Sequence, residues 1–356
     1  DFFSENRFKK ALLLVDSNLE ENSKYLRNCI LKFEKRFNIL KINYSYKFEP
    51  SYDYLNFIIR NIKKDKKYKS IDIIVAIGGG STIDTGKGIA ILLKNPGNSR
   101  KYMGFPKKLM QPIPLIAIPS TTGTGSEVAY NASFIDEKNK KKLGINFEKN
   151  YPILSILDQL IIMSMPKNVL KSSGSDLIVH TVESFMSTKK NKQTETLSLN
   201  AFKLIDMSFE KSIKYNYKTE DLSNLQWACV WSMLALSNSS GGPSSAFSYL
   251  LGTHFKIPHG IAGGFFLKKI INYNIDNNFD FSLLFINHKF KNKNYIRNYF
   301  NNLFNLCDIP DNIEQFGVIQ KRDFNKFSNF YDNVKSVFSF NPIKITKKNF
   351  LNLIFN

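Results

Sequence analysis

The stretch Ile71-Asp72-Ile73-Ile74-Val75-Ala76-Ile77 is apolar at all but one position, and three glycines follow it directly. A run of this kind suits a central parallel strand covered on both faces. Gly78, Gly79 and Gly80 then let the backbone turn tightly, and Ser81 offers an N-cap for a helix. A strand that ends this way calls for parallel neighbours and crossover helices. The flanking sequence supplies both. Ala11–Val15 reads as a buried strand, Glu20–Phe37 as a helix (Leu26, Ile30, Phe33, Phe37), and 39–46 as a second strand. Tyr54–Ile62 carries Leu55, Ile58, Ile59 and Ile62 on one helical stripe, and Leu115–Ile118 is a further strand stopped by Pro119. This β-α-β-α order predicts an α/β domain with a doubly wound parallel sheet.

The pattern changes near residues 160–168. Val169–Ser187, Thr196–Lys214, Leu222–Ser237 and Ala246–Phe255 all show helical spacing, and strand-like runs become rare. We therefore expect two domains, an α/β domain over 1–163 and an all-helical domain over 164–356. Beyond about residue 275 the chain is rich in Asn, Phe and Lys, and helices are expected there without defined ends. The length of 356 residues suits two domains, and 43% hydrophobic residues are enough for real cores.

Composition removes several function classes. Cys29, Cys229 and Cys307 are widely spaced, which argues against a disulfide framework and a thiolate zinc site. No stretch approaches the roughly 18 consecutive apolar residues of a membrane span. The start shows no secretory pattern, so a cytoplasmic protein is expected. The chain begins at Asp1 without Met, and a short preceding piece is expected to be missing. The net charge of +20 raises the question of nucleic acid. The lysines, however, lie in short scattered runs such as 138–142 and 189–192, with no nucleic-acid module around them. A solvated basic surface is the expectation, with no nucleic-acid partner and no membrane.

The glycine turn is a candidate phosphate site, because glycines admit an anion to the unpaired amides of a new helix. It matches neither G-x-G-x-x-G nor the P-loop pattern. A second small-residue segment, Pro119-Ser120-Thr121-Thr122-Gly123-Thr124-Gly125-Ser126-Glu127, follows another strand and can line the same crevice or be an ordinary hydroxyl-rich loop. The chain has four histidines, His180, His254, His259 and His288. Asp176 and His180 are four apart in a helical pattern and share a face, as a half-site for a divalent metal or as a plain surface pair. His259 sits at a helix-breaking corner, Pro258-His259-Gly260.

Taken together, these motifs resemble the iron-containing (group III) alcohol dehydrogenases, in the dehydroquinate synthase-like superfamily. Gly78-Gly79-Gly80-Ser81-Thr82-Ile83-Asp84-Thr85-Gly86-Lys87 is similar to that family's G-G-G-S-x-x-D-x-x-K. Ile118–Glu127 is close to I-P-T-T-x-G-T-x-x-E, and Pro258-His259-Gly260 to its P-H-G. The resemblance, over roughly residues 10–275, implies an active site in a cleft between the two domains. It implies NAD (or NADP) held by Asp16, Gly78, Gly79, Gly80, Ser81, Asp84, Thr121, Thr122 and Lys142. A carboxylate at Asp16 favours NAD, since it accepts from a ribose hydroxyl and repels a 2′-phosphate. The resemblance also implies a divalent metal, Fe or Zn, on Asp176, His180 and His259. That metal acts as a Lewis acid while hydride moves between nicotinamide and an alcohol or aldehyde.

One departure stands out. The family's third histidine is expected fourteen residues before His259, and Ser245 stands there; four further on, Tyr249 replaces another common histidine. Three readings stay open: a three-ligand metal site, His254 as a substitute, or a site with lost or changed chemistry. Tyr249 and His254 are the candidate catalytic residues, Tyr249 being either a proton relay or a packed aromatic. The expected function is oxidation or reduction of a polar alcohol or aldehyde, such as a sugar or phosphonate compound, by a homodimer. The alternatives are a dehydroquinate synthase-like lyase or cyclase using NAD transiently, and a nucleotide-binding protein with a degenerate metal site.

Overall fold

The computed structural model describes residues 2–45 and 49–355. They divide into two units. One takes the chain up to Pro166 apart from Thr122–Thr124; the other takes that segment and everything from Lys167. The division lies three residues beyond the expected boundary.

The first unit is built on five parallel strands: β1 (Lys10–Asp16), β2 (Asn38–Tyr44), β3 (Ile73–Gly78), β4 (Leu115–Pro119) and β5 (Leu154–Ser155). Their order is β2-β1-β3-β4-β5. The order reverses between β1 and β3, and ligands of open α/β sheets bind outside the carboxyl ends of the strands at such a point. The expected end of the second strand, Tyr46, lies outside the described residues. Strand β5 is two residues long, too short to carry a periodicity.

Alternation along the strands makes two cores. Leu12, Leu14, Ile74, Ala76, Leu115 and Ala117 face α3 (Tyr52–Lys64) and α4 (Gly80–Lys94). Ala11, Leu13, Val15, Ile73, Val75 and Ile77 pack with Leu26 and Ile30 of α2 (Lys24–Arg36). The single helix expected over 20–37 is in fact two. Helix α1 (Ser17–Asn22) ends at Ser23, whose hydroxyl accepts from Leu26 N and starts α2. A side chain that caps a new helix wins over apolar spacing that runs through it.

The second unit is helical: α5 (Lys167–Met186), α6 (Lys192–Lys214), α7 (Thr219–Ser239), α8 (Pro243–Phe255), α9 (His259–Asp276), α10 (Lys293–Leu306), α11 (Phe324–Asn333) and α12 (Lys347–Phe355). Every residue of α5 from Gly174 to Met186 is buried, as in a helix surrounded by others. The Asn- and Phe-rich tail joins this core through rings: Phe247 meets Phe266 at 4.6 Å, and Phe266 meets Phe350 at 5.4 Å. No helix among the described residues is long and apolar enough to cross a membrane.

Candidate functional site

In the first unit the candidate site gathers where β1 and β3 end. Gly78 closes β3, and a Cβ there would lie 2.5 Å from Thr82 Oγ1 and 3.0 Å from Asp16 Cβ. Only glycine fits so close an approach. Gly79, not Ser81, is the N-cap of α4, and no side chain caps this helix. The expectation that Ser81 caps it is therefore corrected. The turn delivers Gly79 directly to the helix start, and the first amides keep their donors for another partner. Thr121 stands against the turn, its Oγ1 3.5 Å from where a Gly79 Cβ would be, and Ser120 N donates to Gly78 O at 3.0 Å. The two small-residue segments therefore lie side by side. Thr82 is a residue the motif reading passed over: its hydroxyl is buried beside the turn with no hydrogen-bond partner.

Asp16 is the last residue of β1 and caps α1, its Oδ1 accepting from Leu19 N at 3.0 Å. Burial raises its carboxyl above the ordinary value, and the amides of Leu19 and Asn18 pull it back. Two expected cofactor residues are engaged within the unit. Asp84 accepts from Ser126 Oγ and, at 3.0 Å, from Ser133 N, with Lys87 Nζ 3.6 Å away. Both its oxygens hold the loop that follows β4. Lys87 is wholly buried and donates to Ser126 O (2.6 Å), Ser126 Oγ (2.9 Å) and Asn131 O (3.0 Å). Burial pushes its ammonium below the usual lysine range, against the pull of Asp84 and Glu127. Lys142 pairs with Glu49 at 3.0 Å. Thr122 clusters with the second unit, its hydroxyl buried and unpaired.

In the second unit the central helix α5 carries three ionisable groups on one buried stripe: Asp176, His180 and Glu183. Buried groups of this kind need partners. His180 Nε2 lies 3.5 Å from Asp176 Oδ1, and His259 Nε2 lies 3.8 Å from the same oxygen. His259 opens α9 behind Pro258, whose ring fixes its own φ at the N-cap. Gly260 next to it lets α9 approach α5, where Ser175 Oγ donates to Gly260 O at 2.7 Å. The ring of Tyr249 stacks on that of His259 at 5.4 Å, and Ser248 Oγ lies 3.2 Å from His259 Nε2.

Among the described residues, no group of three or more His, Cys, Asp or Glu is arranged to hold a metal ion. Asp176, His180 and His259 form a looser cluster, an open corner around Asp176 Oδ1, with two imidazoles and a carboxylate of the donor types that divalent cations take. His180 Nδ1, the ring nitrogen that does not face Asp176, is buried without a hydrogen-bond partner.

Ser245 does not complete the corner. Its hydroxyl donates to Glu183 Oε2 at 2.6 Å, and Glu183 also accepts from the amides of Gly242 (3.0 Å), Ser244 (2.5 Å) and Ser245 (3.2 Å). Glu183 therefore caps α8 from a neighbouring helix. Burial raises its carboxyl, and the Ser245 hydroxyl and these amides draw it down again. His254 is no substitute either. It lies nine residues beyond Ser245 on the same helix, about 180° around it at 3.6 residues per turn. Glu183 and Ser248 are the residues that sequence reasoning missed. Glu183 had a signal, since it lies seven residues after Asp176 and three after His180 on one helix face.

Comparison with known proteins gives the family and the fold. Residues 1–159 match the family model described as iron-containing alcohol dehydrogenase, and residues 171–355 match the C-terminal model of the Fe-containing alcohol dehydrogenase family. The 1,3-propanediol dehydrogenase of Citrobacter freundii is 31% identical over 205 residues, 57% of this chain and 53% of that protein. The sulfoacetaldehyde reductase of Bilophila wadsworthia is 30% identical over 226 residues, 64% of this chain and 57% of that protein. The matched stretch thus spans little more than half the length of these curated relatives. The fold is that of the Oenococcus oeni alcohol dehydrogenase: TM-score 0.86, 23% identity, covering 99% of this chain and 93% of that one. It is also that of the Bifidobacterium kashiwanohense sulfoacetaldehyde reductase solved with NAD+: TM-score 0.86, 21% identity, covering 99% and 92%.

Proposed function

We propose, because the chain belongs to the iron-containing alcohol dehydrogenase family, that it interconverts a polar alcohol and its aldehyde with NAD(P) and a divalent metal. The observation that carries this reading is the convergence of Asp176, His180 and His259 in one buried corner. These three residues would hold the cation. When bound, the cation supplies Lewis acidity toward an alcohol or carbonyl oxygen, and nicotinamide supplies the hydride carrier.

The remaining work falls to the chain itself. The uncapped start of α4 offers amides to a pyrophosphate, and Thr121 offers a hydroxyl beside them. Asp16 accepts from a ribose hydroxyl, which favours NAD over NADP. Tyr249 fixes the plane of the His259 ring by stacking on it. The substrate class is supported by the +20 charge, which attracts anions, and by a relative named for an anionic aldehyde. We extend the reading to a cytoplasmic homodimer.

Turnover of NAD(H) with a panel of polar and apolar alcohols and aldehydes, with Fe, Zn or Mn added, tests the proposal. Asp176→Ala is expected to lose the metal, seen by elemental mass spectrometry, and to lower kcat/KM by at least about a thousandfold. A metal content unchanged by Asp176→Ala would refute the placement. One observation favours a second reading, a nucleotide-binding protein with a degenerate site: Ser245 is held by Glu183. NADH binding without metal uptake or turnover would select it.

A further inference from the structure

We propose that the basic hollow between the end of α6 and the start of α7 is a second ligand site, which takes a nucleoside polyphosphate by its phosphate chain and its base. The inference stands apart from the metal reading. Lys167, in the wall of the hollow, precedes Asp176 by nine residues along α5, about 14 Å of helix.

The hollow has a volume of about 830 Å3, and its walls include Lys167, Lys211, Lys214, Lys218, Tyr215 and Tyr217. None of its lining residues is acidic. Pockets of this size hold nucleotide-sized molecules.

The four lysines do different things. Lys167 Nζ donates to the carbonyl oxygens of Ser212 and Tyr215 and lies 4.1 Å from the centre of the Tyr217 ring. It caps the negative end of α6 and is fully engaged. Lys214 pairs with Glu210 one turn back at 2.5 Å, and both side chains are exposed. The side chains of Lys211 and Lys218 have no hydrogen-bond or ion-pair partner among the described residues. Compensation of the helix dipole accounts for Lys211, which lies in the last turn of α6. It does not account for Lys218. This residue is the N-cap of α7, where helices favour Ser, Thr, Asp or Asn, and it makes no capping bond. It brings a cation to the positive end of a 21-residue helix, on the same hollow as Lys211 and Lys214. Glu220 and Asp221 answer that dipole from the first turn of α7, but neither lines the hollow.

Several cations therefore face one space with too few anions among them. A single ligand bearing several negative charges satisfies them together, and a row of phosphates has the charge density and the acceptors to do so. Tyr215 lines the same hollow and is 67% exposed, so its ring offers a face to a base.

Calorimetric titration of the full chain with ATP, inorganic tripolyphosphate and adenosine tests the site. ATP is expected to bind once per chain, tripolyphosphate more weakly, and adenosine not measurably. Lys211→Ala/Lys218→Ala is expected to weaken ATP about tenfold. Tyr215→Ala is expected to weaken ATP about fivefold and to leave tripolyphosphate unchanged. Lys107→Ala/Lys108→Ala, which removes the same charge from an exposed loop of the first unit, is expected to change neither. ATP binding that survives Lys211→Ala/Lys218→Ala, and that NAD+ displaces, would overturn the proposal by placing the anion at the glycine turn. Equal weakening by the two double variants would overturn it by reducing the effect to bulk charge. Tripolyphosphate binding as tight as that of ATP, with Tyr215→Ala silent, would overturn the nucleoside assignment. No ATP binding at millimolar concentration would overturn the site outright, and none of these results bears on Asp176, His180 or His259.

Discussion

Gly260→Ala is expected to destabilise the protein by about 3 kcal/mol and to disperse the metal corner. In an open helix the same change would stabilise by up to about 1 kcal/mol, because alanine is the better helix former. Here the added Cβ would stand 1.9 Å from Ser172 O and 3.1 Å from Asp176 Cβ. The first of these is a backbone oxygen, which has no rotamer to retreat into. Helix α9 must back away from α5, and His259 at its start must leave Asp176. Overpacking of a well-filled contact costs about 1–3 kcal/mol, and a collision with main chain belongs at the upper end. Denaturant melts and Co2+ titration of the same variant check both halves. A variant that is more stable than wild type, or that binds Co2+ normally, would show that the helix contact does not set the corner.

Glu183→Gln is the second large effect, again with a loss of about 3 kcal/mol. The two side chains are nearly isosteric, so packing is preserved. The hydrogen-bond inventory is not. Glu183 Oε2 accepts from Gly242 N, Ser245 N and Ser245 Oγ, while Oε1 accepts from Ser244 N. Whichever way the amide is turned, its NH2 group faces at least one backbone N–H. A buried donor left without an acceptor costs about 1–3 kcal/mol, and more where the lost acceptor was charged. The first turn of α8 should loosen, which hydrogen exchange at Ser244 and Ser245 would report. Unchanged protection at these amides would mean that Glu183 does not hold the helix start.

How much of this could be read from residues alone depends on the distance over which each signal acts. The strand β3, its glycine turn and the helix after it are local, and their apolar run and glycines placed them. The helix faces of Asp176 and His180 are also local, since four residues along a helix is a fixed rotation. The break at Ser23 was hidden because a capping serine looks like any other serine in an amphipathic stretch. The contacts of Asp84 and the cap ahead of Ser81 were hidden for a different reason. The type and spacing of these two residues suit a phosphate, but the structure turns Asp84 toward Ser126 and starts α4 two residues earlier, at Gly80 behind Gly79. The Glu183 and Ser248 roles depend on contacts between helices about 60 and 11 residues apart in sequence, which no single-helix pattern encodes. The aromatic-rich tail shows the same limit: its rings find Phe247 and Phe266 only once the bundle exists.

Lys87 has one more consequence. Its nitrogen donates three hydrogen bonds, as an ammonium does, although burial lowers its pKa from the usual lysine value. No reagent can reach it, because its side chain is fully enclosed and three oxygens hold its nitrogen. In a chain with many exposed lysines, this one amine is silent while the sheet domain is closed and reactive as soon as it opens. The residue that ties the glycine helix to its loop is thus a built-in reporter of breathing in the dinucleotide-type domain, readable by mass spectrometry without any introduced label.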